Sequence, residues 1–94
     1  MIDMSKVLLK GFILVPSNEL EIIKQELVNH IRLTLNEPGC ITFKVIQDEN
    51  DPCRFNVYEE FVDREAFEQH QRRVADSDWG KLTRNAERHY EVIE

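Results

Sequence analysis

Two side chains near the middle of the chain, Glu59 and His70, have the types and spacing to transfer a proton. Glu59 alternates with Phe55, Val57 and Phe61 along a segment rich in aromatic and β-branched residues. If this segment is a strand, side chains at every second position share one face, so Glu59 is carried into an apolar layer. An isolated carboxylate there is costly unless it is paired, hydrogen-bonded or protonated.

His70 is the partner that the sequence offers for Glu59. It follows Phe67 by about one turn on the amphipathic segment after the strand, which predicts that both face inward. A carboxylate in an apolar site has a raised proton affinity, and it would orient the imidazole and keep it basic. We predict a catalytic pair, Glu59 and His70; the alternative is a buried hydrogen-bonded pair that only locks the strand to the helix.

Other aromatic and polar residues are candidates for the wall of the same pocket. His30 flanks the leucine stripe of the first helix and is either a pocket residue or a half-exposed residue at the helix edge. Trp79 opens the last helical segment and is either an aromatic lid or a core residue. The role of His89 and Tyr90, on the last strand, stays open. The predicted substrate-binding residues are His30, Phe55, Val57, Phe61, Phe67 and Trp79.

The elements that must position these residues follow the order β-α-β-β-α-β. Hydrophobic periodicity and turn residues predict strands at Lys6–Val15, Cys40–Asp48, Arg54–Val62 and Arg88–Ile93, a first helix at Glu19–Asn36, and a second that is interrupted at Ala75–Asp78. Ile41, Phe43 and Val45 are expected to share the apolar face of the second strand.

Capping residues are predicted at each helix start. Ser17 or Asn18 is expected to cap the first helix and Asp63 the second, with Asp76 or Ser77 beginning a new segment after the interruption.

This order predicts an α+β, ferredoxin-like fold: one domain over residues 1–94, with a four-stranded antiparallel sheet and helices on one face. The other face would carry Ile46, Tyr58 and part of the first strand. These apolar side chains cannot all face water, so we expect a homodimer that joins two sheets face to face.

Composition excludes several classes of partner. A net charge of −6 argues against nucleic acid, and we interpret Arg72-Arg73 as a solvated helix face rather than a phosphate clamp. Cys40 and Cys53 would be roughly 25 Å apart along the sheet, too far for a disulfide, and they lack the pattern of a zinc site. The longest apolar run, Gly11–Pro16, is too short for a membrane span, and no signal peptide is recognisable, so we expect a cytoplasmic protein without a metal.

The stretch NEPGCITFKVIQDENDPCRFNVYEEFVDREAFEQH, residues 36–70, resembles the antibiotic biosynthesis monooxygenase family. The similarity lies in an E-x-G-C turn, an F-x-V-x-Q-D strand, a D-P-x-R-F turn and a Y-E-x-F run that leads to A-x-x-x-H. The resemblance implies a dimeric α+β barrel with a pocket between the sheet and the helices of each subunit. Family members include cofactor-free oxygenases of quinols or anthrones, haem-degrading enzymes and an isomerase of a phosphorylated autoinducer sugar.

The resemblance leaves three functions open. We expect a cofactor-independent monooxygenase that uses O₂ on a quinol-like or polyketide-like aromatic, because phenylalanines and Trp79 surround a single Glu–His pair. The alternatives are an isomerase of a small hydroxy-carbonyl compound or phosphorylated sugar, and a non-catalytic dimeric ligand-binding domain. A sugar phosphate would need several inward His, Arg or Lys side chains. Val57 and Phe61 stand where some oxygenating relatives carry Asn and Trp, and Asp76–Asp78 replaces a common S-P-H segment.

Overall fold

The elements follow the predicted order along the chain. The computed structural model describes residues 5–94. Its strands are β1 (Val7–Leu14), β2 (Cys40–Gln47), β3 (Arg54–Phe61) and β4 (Glu87–Ile93), and its α-helices are α1 (Leu20–Leu35), α2 (Arg64–Asp76) and α3 (Asp78–Leu82). A 3₁₀ turn at Ser17–Glu19 precedes α1. The predicted ferredoxin-like α+β fold is confirmed.

The sheet places Glu59 at its centre. Its strand order is β2-β3-β1-β4 and every neighbouring pair is antiparallel. Glu59 on β3 lies opposite Leu9 of β1 and Phe43 of β2. Both neighbours are buried, so the carboxyl group projects from the middle of an apolar surface.

The hydrophobic core lies between this surface and the helices. Its buried side chains come from β1 and the residue that follows it, and from β2, β3, α1, α2 and α3. They are Val7, Leu9, Ile13, Val15, Ile23, Phe43, Val45, Phe55, Val57, Phe61, Phe67 and Trp79. The opposite face of the sheet is more exposed: Ile46 and Tyr58 keep 60% and 37% of their surface accessible. No helix in residues 5–94 is long and apolar enough to cross a membrane.

Two of the predicted helix caps are present and one is not. The Asp63 side chain accepts a hydrogen bond from the Ala66 amide, and Ser77 accepts one from Gly80. The prediction of a Ser17 or Asn18 cap was wrong, because the 3₁₀ turn uses the backbone instead: the Glu19 amide donates to the Pro16 carbonyl at 3.0 Å.

The predicted apolar face of β2 is broken at one residue. Phe43 and Val45 are buried, but Ile41 is 43% exposed. An irregularity in pairing with β3 between Cys40 and Thr42 interrupts the alternation there. The expectation that Ile41 shares the buried face was therefore wrong.

Candidate functional site

Glu59 and His70 converge in the interior, as their spacing predicts. The two residues are 6% and 3% exposed, and Glu59 Oε1 lies 3.6 Å from His70 Nε2. This separation is just too long for a hydrogen bond. Oε1 has no hydrogen-bond partner among residues 5–94. The carboxyl oxygen is thus buried beside a ring nitrogen with its hydrogen-bonding capacity unused.

Aromatic packing and the α2 cap hold His70 in place. Its ring centroid lies 4.8 Å from that of Phe61 and 5.7 Å from that of Phe43, so β3 and β2 both contact it. The Asp63 cap fixes where α2 begins relative to β3. Because α2 follows β3 almost directly, this local geometry determines where His70 meets the sheet.

A second carboxylate, Glu37, lies on the other side of the imidazole. Its Oε2 is 3.0 Å from His70 Nδ1, and the Arg73 Nε–H donates a hydrogen bond to its Oε1. Arg73 also donates from Nη2 to the Thr34 hydroxyl at 2.9 Å. The expectation that Glu59 orients the imidazole was therefore wrong, since the direct hydrogen-bond partner is Glu37.

Arg72 and Arg73, which were predicted to form a solvated helix face, lie in different environments. Arg72 is exposed, as expected. The Arg73 side chain is only 31% exposed and is engaged by Glu37 and Thr34, so the interpretation was wrong for this residue. The pairing was missed because Glu37 precedes Arg73 by 36 positions and nothing local in the sequence indicates that they meet.

Burial shifts the pKa values of Glu59 and His70 in opposite directions. Burial and, to a lesser extent, the nearby Glu37 charge raise the pKa of Glu59 to about 8. Burial lowers the pKa of His70, with Glu37 opposing this shift and Arg73 adding to it. At neutral pH the carboxyl group therefore holds a proton and the imidazole is neutral. The expectation that Glu59 keeps the imidazole basic was wrong, because Glu59 is itself protonated and burial of His70 outweighs the charge of Glu37.

His30 is a buried residue that stacks on Trp79. Its ring is 4% exposed and lies parallel to the indole, with centroids 4.7 Å apart and an interplanar angle of 5°. The half-exposed alternative was therefore wrong. Burial lowers the pKa of His30 to about 3, so its ring is neutral, and its Nδ1 has no hydrogen-bond partner in the described part of the chain.

Two cavities meet at the His30–Trp79 stack. The inner cavity has a volume of about 40 Å³ and contains the Glu59–His70 pair. The outer cleft, of about 480 Å³, lies between α1 and the α2–α3 corner. Both His30 and Trp79 line both spaces. The stacked rings therefore separate the Glu59–His70 pair from a cleft of ligand size.

The wall of the inner cavity differs from the one predicted. The structure brings His30, Val57 and Trp79 to the Glu59–His70 pair. Phe55 and Phe67 pack in the core and do not line this cavity, and Phe61 lines a separate pocket beside Glu37. The additional polar side chains of the wall are Gln71, Arg88 and Tyr90.

Arg88 and Tyr90 bring polar groups from β4. The Arg88 guanidinium donates to the Thr83 carbonyl at 3.0 Å and to the Thr83 hydroxyl at 2.5 Å, which fixes it at the cavity edge. Tyr90 lines the cavity, whereas His89 stacks on Phe12 with centroids 4.7 Å apart. The alternation along β4 was visible in the sequence, but its register, and hence the choice between the two residues, was not.

A family model described as antibiotic biosynthesis monooxygenase matches residues 9–79. Curated relatives are isomerases of (4S)-4-hydroxy-5-phosphonooxypentane-2,3-dione. The Yersinia enterocolitica protein is 46% identical over 39 residues, which are 42% of this chain and 41% of the relative. The Photorhabdus laumondii protein is 40% identical over 50 residues, which are 53% of this chain and 50% of the relative. The aligned segments thus span half or less of these relatives.

Solved structures share the fold across nearly the whole chain. A candidate antibiotic biosynthesis monooxygenase from Bacteroides thetaiotaomicron superposes with a TM-score of 0.82 at 17% identity, covering 99% of this chain and 90% of the other. Another, from Nitrosomonas europaea, superposes with a TM-score of 0.74 at 18% identity, covering 99% of this chain and 89% of the other. With the family match over most of its length, the chain belongs to the antibiotic biosynthesis monooxygenase family.

Proposed function

We propose that this protein is an isomerase that moves a proton between carbons of a small, polar hydroxy-carbonyl compound. The observation that carries this proposal is the buried, unpartnered Glu59 oxygen facing His70 Nε2. A protonated carboxyl group beside a neutral imidazole supplies a general acid and a general base at neutral pH. Neither group needs a cofactor for a proton transfer.

The proposed reaction proceeds through an enediol. His70 Nε2 takes the proton from the carbon that bears the substrate hydroxyl, while the Glu59 carboxyl group donates its proton to the neighbouring carbonyl oxygen. The Glu59 carboxylate then removes a proton from the other enediol oxygen, and protonated His70 returns a proton to the former carbonyl carbon. Carbonyl and hydroxyl exchange places, both residues regain their starting protonation states, and no electron leaves the substrate.

The lining of the inner cavity favours a polar substrate over a flat aromatic one. Gln71, Arg88 and Tyr90 add hydrogen-bonding groups to the wall. Phe43 and Trp79 also line it, whereas Phe55 and Phe67 do not reach it. The curated relatives act on a phosphorylated hydroxy-dione, which belongs to this class of compound. Both findings support the isomerase over the oxygenase that the sequence favoured.

Access to the reacting pair is proposed to run through the outer cleft. A volume of about 40 Å³ holds little more than one water molecule, so a substrate must displace part of the wall. His30 and Trp79 are the side chains that both spaces share. Separation of this stack would join the cleft to the Glu59–His70 pair.

Cofactor-independent oxygenation is a second proposed function, favoured by the aromatic His30–Trp79 stack beside a cleft of about 480 Å³. This reaction also begins with deprotonation, here of a phenol by His70. It differs because O₂ then accepts electrons from the resulting anion. Oxygen consumption therefore separates the two functions.

The test supplies the purified protein with (4S)-4-hydroxy-5-phosphonooxypentane-2,3-dione, with its unphosphorylated analogue and with a simple quinol. Product is followed by NMR while an electrode records dissolved O₂. We expect isomerisation of a dione without O₂ uptake, and a loss of roughly a hundredfold or more in Glu59→Gln and His70→Gln. Glu68→Gln, an exposed position on α2, is the matched control and should retain full activity.

Three results would overturn the isomerase. These are no conversion of either dione, equal rates in wild type and Glu59→Gln, or O₂ uptake in step with product. Consumption of quinol together with O₂ would instead support the oxygenase.

We also propose that the protein acts as a homodimer joined through the sheet face that carries Ile46 and Tyr58. Their exposure on the side away from the helices supports this arrangement.

A further inference from the structure

Glu37 lies at the edge of the site and has no part in the proton transfers described above. It follows α1 in the turn that leads to β2, and its side chain is 17% exposed. One carboxylate oxygen contacts His70 Nδ1 at 3.0 Å and the other accepts from Arg73 Nε. Glu37 thus bridges the imidazole and a guanidinium.

We infer that Glu37, held by Arg73, is a positioning residue that fixes His70 in the Nδ1–H tautomer, with the Nε2 lone pair directed at Glu59 and the substrate. The inference deepens the proposed isomerase and rests on that function for its catalytic consequence. Its structural part stands on the contacts alone.

The tautomer follows from the hydrogen bonds that each group can make. The Arg73 guanidinium donates a hydrogen bond to the Glu37 carboxylate, whose oxygens can only accept hydrogen bonds. His70 must therefore donate, and Nδ1 carries the hydrogen. A neutral imidazole then leaves Nε2 without one, on the side where Glu59 Oε1 lies 3.6 Å away.

Thr34 anchors the other end of this arrangement. It is fully buried, and its hydroxyl donates to the His30 carbonyl at 2.9 Å while accepting from Arg73 Nη2. The guanidinium therefore joins α1, α2 and the turn that holds Glu37. This connection restricts the carboxylate, and through it the plane of the imidazole.

The two charged neighbours of His70 act on its proton affinity with opposite signs. Glu37 raises the pKa of His70 and Arg73 lowers it. The other titratable or charged groups around the same cavity are Glu59 on β3, His30 on α1, and Arg88 and Tyr90 on β4. Removing Glu37 should therefore lower the pKa of His70, and removing Arg73 should raise it.

The experiment uses the full chain with ¹⁵N-labelled histidine. The imidazole nitrogen shifts of wild type, Glu37→Gln, Glu37→Ala and Arg73→Met are recorded across a pH titration, with Glu68→Gln as the charge-matched control on the exposed face of α2. The His70 signals are assigned by their absence in His70→Gln. Thermal melting followed by circular dichroism identifies the variants that fold, and Glu37→Gln is the conservative one.

In wild type we expect a single neutral tautomer protonated at Nδ1. His70 should populate both tautomers in Glu37→Ala. In Glu37→Gln its imidazole should titrate at lower pH than in wild type. The His70 imidazole should titrate at higher pH in Arg73→Met, and at the wild-type pH in Glu68→Gln. If the dione assay works, kcat should fall roughly ten- to a hundredfold in Glu37→Gln with little change in KM.

An Nε2–H tautomer in wild type, or an unchanged tautomer and midpoint in both Glu37 variants, would overturn the inference. Shifts of the His70 pKa in the same direction in Glu37→Gln and Arg73→Met would also overturn it. A general loss of structure would have the same effect whichever charge is removed. Absence of isomerisation by the wild-type protein would overturn the proposed function, whereas the ¹⁵N result decides by itself whether Glu37 sets the tautomer.

Discussion

Glu59 illustrates how burial can set the protonation states of a carboxyl group and a neighbouring imidazole. Had the charges dominated, the carboxylate would have been ionised and the imidazole protonated. The pKa of Glu59 instead rises to about 8 while that of His70 falls. The two groups therefore stand in the neutral form, with the proton on the oxygen, which is the arrangement that an enolisation needs at its start.

Protonated Glu59 predicts a specific dependence of stability on pH. The folded state keeps a proton that the unfolded state releases above its ordinary pKa of 4.5, so the free energy of unfolding should fall as pH rises from about 4.5 to 8. Across this window, we expect the free energy of unfolding of wild type to fall by on the order of a few kcal/mol relative to that of Glu59→Gln. Urea unfolding of both proteins at pH 5, 7 and 9 measures the difference, and parallel pH dependences would contradict the raised pKa.

The same two groups predict the pH profile of the proposed isomerase. The value of kcat/KM should fall on the alkaline side near pH 8, where Glu59 loses its proton. It should fall on the acidic side only below pH 6.5, because the pKa of His70 is lowered. Initial rates between pH 4 and 10 test this; a rate that rises through pH 8 would assign Glu59 the role of base.

Contacts between consecutive elements could be predicted from the sequence. Period-two alternation on β3 and helical spacing on α2 predicted that Glu59 and His70 meet, because the two elements are consecutive and Asp63 fixes the junction. The contact between Glu37 and His70 could not be predicted from the sequence, because it joins positions 33 apart through tertiary packing. The register of β4, which brings Arg88 and Tyr90 inward, depends on its pairing with β1 and was equally hidden.

The turn that carries Glu37 packs closely on α2 at one glycine. A Cβ atom at Gly39 would lie 2.3 Å from the Ala66 Cβ, so Gly39→Ala must push the turn away from the helix. We expect a loss of about 1–3 kcal/mol in the free energy of unfolding. The loss should be smaller when measured in an Ala66→Gly background, which removes the opposing methyl group. Urea unfolding of the four proteins gives this coupling, and strictly additive effects would contradict the close contact.

The two sides of the sheet differ in what covers them. One side packs against the helices, and the other exposes Ile46 and Tyr58 among charged neighbours such as Lys10 and Lys44. That asymmetry follows from four strands with only one layer of helices, and it could be predicted from the element order. The expectation of one domain over residues 1–94 stays a prediction.

If the dimer forms through the sheet face that carries Ile46 and Tyr58, only substitutions on that face should change the mass in solution. Wild type should elute at twice the chain mass of 11.2 kDa in size-exclusion chromatography with light scattering. Ile46→Asp should shift it toward the monomer, because a charge would be buried between the sheets. Val28→Asp replaces an apolar residue that is 73% exposed on α1 and should leave the mass unchanged. A monomeric wild type at micromolar concentration, or equal effects of both substitutions, would contradict the proposed interface.

The most direct test of proton transfer at Glu59 and His70 is solvent deuterium incorporation. The phosphorylated hydroxy-dione is incubated in D₂O with wild type, Glu59→Gln or Glu68→Gln, and the carbon-bound hydrogens beside the carbonyl groups are followed by NMR. We predict deuterium at those carbons with wild type and Glu68→Gln, and incorporation reduced to the uncatalysed rate with Glu59→Gln. Equal incorporation with wild type and Glu59→Gln, or neither product nor deuterium above the uncatalysed rate with wild type, would contradict it.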